Sequence, residues 1–128
     1  IILFISIRLN AQTVDIINTS VSWTTSNATN LDKPNDQFSF NCQFVTNGLK
    51  PIKWIQGEGA ETTEFSILTT EGQWKDISKD GQIIFHVSQD ETRGTITIKQ
   101  KAGKAILIMD LGEGSRYKFE IGNYKRLY

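Results

Sequence analysis

Between Gln37 and Phe44 the chain alternates strictly, with Phe38, Phe40, Cys42 and Phe44 on one side and Ser39, Asn41 and Gln43 on the other. Successive side chains of a β-strand point to opposite faces, so this pattern predicts a half-buried strand with an aromatic inner face. No long stretch shows the i, i+3, i+4, i+7 apolar spacing of an amphipathic helix. A chain of 128 residues is long enough for one domain with a real core and too short for two ordinary ones. With this texture, the core has to be closed by sheet alone.

Other segments carry the same signal less strongly. Thr13–Trp23 is expected to hold one strand or two short ones. Pro51–Gln56, Glu64–Thr70 and Gly72–Ile77 follow, and Thr24–Asp36 reads as a long polar loop. Gln82–Ser88, Thr95–Gln100, Ala105–Leu111 and Ser115–Asn123 are joined by short connections rich in glycine or charge, which is hairpin chemistry. These four predict a C-terminal antiparallel meander. The expected fold is all-β: a single antiparallel β-sandwich or an up-and-down β-barrel of about eight or nine short strands. Ala105–Leu111 is apolar on both faces except at Asp110 and is expected to be central or covered on both sides.

Lys plus Arg is 14 and Asp plus Glu is 14, so the formal net charge is zero. No global field draws the chain to nucleic acid, and no nucleic-acid partner is expected. From Arg93 onward eight basic residues face three acidic ones, an excess read as the solvated side of a sheet. Cys42 is the single cysteine, which excludes an internal disulfide.

The first residues have a different texture. Ile1–Ile7 is an apolar run too short to span a bilayer, followed by Arg8 and then by Asn10-Ala11-Gln12, after which the sequence turns polar. This stretch resembles the end of secretory signals in Bacteroidota, where an apolar run precedes an N-A-Q junction. The resemblance implies a signal-peptide remnant over residues 1–11, a single β-domain over 12–128, a secreted or periplasmic location, and no membrane span in the mature chain.

Few residues bear chemistry. His86, the single histidine, sits within a strand and is expected on its solvent face or hydrogen-bonded in place. Cys42 shares the Phe38/Phe40/Phe44 face and is expected to act as a buried thiol. One His and one Cys on separate strands make no standard zinc site. Asp76, Asp80 and Gly81, and likewise Asp90 and Glu91, are oxygen-bearing loop residues, but their spacing is ordinary turn chemistry. No metal and no cofactor is expected. Glu58, Glu61 and Glu64 cluster about one loop, and a carboxylate-dependent hydrolase built on distant acids is a less favoured alternative.

Trp23, Trp54 and Trp74 each stand beside a polar stretch. If they share one rim, they offer an aromatic platform to a ligand; the plainer reading is that they plug the core. The leading expectation is a small, exported, non-catalytic β-domain binding a small molecule, glycan or protein through loops and aromatic residues at one end. The alternative is a structural or interaction subunit of a larger assembly, using edge strands or an aromatic face.

Overall fold

The computed structural model describes residues 15–57 and 61–127. The expected signal remnant over residues 1–11 lies outside them, as does Glu58. A short 3-10 turn at Ile16–Asn18 is capped by Asp15, whose carboxylate accepts the Ile17 N–H at 3.0 Å. Eight strands follow: β1 (Ser20–Asn30), β2 (Gln37–Asn47), β3 (Lys50–Gln56), β4 (Glu61–Glu71), β5 (Gly81–Gln89), β6 (Thr92–Lys101), β7 (Lys104–Asp110) and β8 (Arg116–Arg126). Each pairs antiparallel with the next, and β8 pairs with β1, so the sheet closes into an up-and-down barrel. Closure removes the free edges that edge-to-edge partner contact would need.

The inner face follows from period two. Ile83, Ile98, Leu107 and Phe119 are register partners along one row through β5, β6, β7 and β8, and the row continues through Ala28 to Phe38. Trp23, Phe44, Phe65, Phe85 and Phe119 are fully buried. At about 25 cal/mol per Å² of apolar surface, rings of this size supply much of the drive to close the barrel. An eight-stranded barrel has an interior just wide enough for side chains to fill or for one small ligand.

The strands begin and end at two distinct rims. The β2–β3, β4–β5 and β6–β7 connections lie at one end, here called the foot, together with Asp15 and Leu127. The β1–β2, β3–β4, β5–β6 and β7–β8 connections lie at the other end, the mouth. The β6–β7 hairpin turns on Ala102 and Gly103, with φ of 54° and 81°. Two consecutive left-handed residues match the strand twist of a tight hairpin, and the Asp80 carboxylate accepts the Ala102 N–H at 3.0 Å to hold that turn.

The expected meander is present as β5 to β8. Two earlier expectations need correction. The polar stretch Thr24–Asp36 is largely strand: β1 runs to Asn30 and only residues 31–36 are loop. Its buried positions there are the small residues Thr25, Ala28 and Thr29, and Thr25 and Ala28 leave room for the Phe38, Phe40 and Phe119 rings beside them. Gly72–Ile77 is not a strand but part of the β4–β5 connection, which folds Trp74 and Ile77 into the foot. The outward residues of β7, Ile106 and Ile108, are half-exposed, with no second layer over them among the described residues.

The strictly alternating face of β2 is graded along the barrel axis. Phe44 is 0% exposed, Cys42 7% and Phe38 38%, with Phe40 half-buried between the last two. Phe44→Ala is therefore expected to cost about 3–5 kcal/mol in chemical denaturation, whereas Phe38→Ala at the rim costs under about 1 kcal/mol. Equal losses at the two positions would contradict this gradient. A second expectation concerns Gly81, where an added Cβ would lie 2.1 Å from Trp74 Cδ1. Gly81→Ala must push Trp74 out of its place and is expected to destabilise by roughly 1–3 kcal/mol. An unchanged unfolding midpoint would show that the indole has room to shift.

Candidate functional site

The foot is sealed. Trp23 and Trp74 stack with ring centroids 5.9 Å apart, and Tyr124 packs against Trp23 at 5.2 Å. The polar atoms of this plug are satisfied. Trp23 Nε1 donates to Thr46 Oγ1 at 2.9 Å, and Trp74 Nε1 donates to the Lys79 carbonyl at 3.0 Å. The Ile16 N–H donates to the Trp74 carbonyl at 3.2 Å, so the 3-10 turn, the β4–β5 connection and β1 lock one another.

The mouth is built differently. Trp54, on the mouth half of β3, stacks flat on Phe44 with centroids 5.7 Å apart and an interplanar angle of 3°. Phe40 meets Trp54 edge-on at 6.3 Å and Phe38 at 6.1 Å, and Phe38 meets Tyr117 edge-on at 6.4 Å. Edge-to-face contacts of this kind satisfy the ring quadrupoles. Four rings, Phe38, Phe40, Trp54 and Tyr117, are each only partly covered, so the cluster rises continuously from the core to the rim.

The three tryptophans singled out in the sequence thus do not meet at one rim. Trp23 and Trp74 are buried together in the foot, and Trp54 belongs to the mouth cluster. Sequence reasoning missed Phe38, Phe40 and Tyr117 as rim residues because alternation gives the side of the sheet and not the height along it. The available signal was the position of Phe38 beside the polar connection that precedes β2.

Polar groups beneath the cluster are sparse. Trp54 Nε1 is buried and has no hydrogen-bond partner among the described residues. The Cys42 thiol lies 3.0 Å from Thr25 Oγ1. Burial pushes the Cys42 thiol above its usual range, against the opposing pull of the Thr25 hydroxyl. A thiol held protonated is a poor nucleophile.

At the rim, the β1–β2 connection is tied to the β7–β8 turn. Asp32 accepts from Arg116 Nη1 at 3.1 Å and from the Gly114 N–H at 2.7 Å, while Arg116 Nε donates to Asp110 at 3.2 Å. Two carboxylates on one guanidinium hold Arg116 well in its charged form. These groups are exposed or half-exposed, so the clasp orders the loop more than it adds stability.

Elsewhere the chemistry is dispersed. His86 is on the outer wall, paired with Glu71 across β4 and β5, and the barrel wall separates it from Cys42. Asp76 accepts from the Ser78 N–H and hydroxyl, which lowers its pKa and marks it as a turn residue. Glu61 and Glu64 are exposed along β4. No three His, Cys, Asp or Glu side chains gather into a metal-binding group among the described residues, and no described helix is long and apolar enough to cross a membrane. No family model, curated protein or solved structure matches this chain.

The raised Cys42 pKa has a signed consequence. The folded state resists thiolate formation, so its contribution to stability is full below the unfolded thiol's pKa, near 9.0. That contribution is lost as pH rises from there toward the folded pKa. Stability should fall above about pH 9 more steeply in the wild type than in Cys42→Ala, measured by urea unfolding of both proteins across the alkaline range. Parallel pH profiles would remove Cys42 as a contributor.

Proposed function

We propose that this chain is an exported, non-catalytic barrel that takes up a small, partly apolar ligand at its mouth. The observation that carries the reading is the asymmetry of the two ends: the foot is closed by a hydrogen-bonded tryptophan plug, and the mouth presents contiguous, incompletely covered aromatic rings. Exposed rings in contact with one another, rather than scattered singly, are the usual mark of a binding surface. A rigid closed wall beneath them limits the entropy lost on binding. The export component rests on the apolar run and the Asn10-Ala11-Gln12 junction. The non-catalytic component is supported by the separation of His86 and Cys42 and by the thiol's raised pKa.

Contact through a larger assembly is the weaker alternative, since strand addition needs an edge and this sheet has none. Uptake of the neutral dye N-phenyl-1-naphthylamine, followed by its fluorescence, tests the reading. Saturable binding is expected, weakened roughly three- to tenfold by Phe38→Ala or Tyr117→Ala. Absence of uptake, or uptake indifferent to both substitutions, would sink it.

A further inference from the structure

We infer that the mouth selects organic cations: its ligand carries an ammonium-type charge that rests on the Phe38 and Tyr117 rings inside an acidic collar. This deepens the reading of the mouth as a binding site and rests on it.

Charge is sorted along the barrel axis although the chain is neutral overall. At the foot, seven basic side chains, among them Lys50, Lys101, Lys104 and Lys125, face four acidic ones. At the mouth the balance reverses: among the described residues, seven carboxylates on the connections and adjoining strand ends stand against Lys33, Arg93, Arg116 and Lys118. Arg116 is occupied by Asp32 and Asp110. Asp36, Glu61, Asp90, Glu91 and Glu113 form no ion pair among the described residues, and Lys33, Arg93 and Lys118 are the three remaining cations. One more carboxylate, Glu120, borders a groove of about 300 Å³ with Phe38 on the outer flank of the mouth, with Lys118 one step nearer the rim on the same strand face.

Aromatic rings present a negative face, so a cation over Phe38 or Tyr117 is attracted by the ring as well as by the collar. An anionic amphiphile of the same size meets the same rings and is repelled by the same collar. Rings and charges therefore favour the same sign of ligand.

The test compares three ligands of equal chain length, decyltrimethylammonium, decanol and decanoate, each below its micellar concentration. Binding is read by tryptophan emission and by displacement of the neutral naphthylamine dye. The cation is expected to bind about tenfold or more tighter than either companion, with the preference shrinking toward equality as salt rises from about 20 mM to about 500 mM. Neutralising the collar with Glu61→Gln, Asp90→Asn, Glu91→Gln and Glu120→Gln together should reduce the preference to about threefold or less, leaving dye uptake unchanged. These positions are solvent-facing, and an unaltered unfolding midpoint verifies the fold. Dye uptake with equal binding of the three ligands, or with decanoate favoured, overturns the cation inference and leaves the mouth in place as a binding site. Failure of the dye and of all three ligands to bind overturns both.

Discussion

The pairing of β1 with β8 is the contact on which the rest depends. It joins Val21 to Arg126 at the foot and Asn30 to Tyr117 near the mouth, and without it the other seven pairings make only an open, twisted meander. All other strand contacts are between neighbours in sequence. Closing this seam brings together segments about a hundred residues apart, but loop-closure entropy rises only with the logarithm of loop length. The return is a sealed interior, since each inward ring is then surrounded on all sides. The irregular register beyond Thr24, toward the mouth, falls on this same seam and on its other partner β2. A bulge there bends β1 and raises local twist where the sheet must curve to close.

The interior is divided by the placement of small residues as much as by large ones. Thr25 and Ala28 give β1 a low profile toward the mouth, and Phe38, Phe40 and Phe119 occupy the space they leave. Toward the foot, Trp23 stands on the same strand and meets Trp74, which itself lies over the bare Cα of Gly81. One end is therefore shut by indoles whose N–H groups are satisfied within the protein, and the other is lined by rings that no described residue fully covers. The clasp of Arg116 with Asp32 and Asp110 keeps the β1–β2 connection seated beside those rings.

The C-terminal half was legible from sequence because each of its pairings is local: β5 to β8 are joined by connections of two to five residues, and alternation on each strand agrees with its neighbour's. β1 was less legible because Thr25 and Ala28 are buried only through what β2 and β8 lay beside them. The plug was hidden for a similar reason. Trp74 sits in a connection with no period to betray its side, and its burial follows from the bare Gly81 nearby and from Ile16 and Trp23, which are distant in the chain. The heights of the three tryptophans do follow once the up-and-down order is known. Trp23 is early on an upward strand, Trp54 is late on one, and Trp74 follows a downward one, so two go to the foot and one to the mouth.

The closed ring of strands also fixes where its two described ends lie. Asp15 and Leu127 both lie at the foot, where the Leu127 N–H donates to the Ser20 carbonyl at 2.7 Å, so the two described ends share one end of the barrel. The described ends thus stand on the side of the tryptophan plug, and the aromatic rim is at the opposite end. The same proximity makes the order of strands around the ring cyclic in a practical sense. Joining the two ends and reopening the chain at the Asp90–Glu91 turn would preserve every strand pair, which makes this barrel a natural subject for circular permutation.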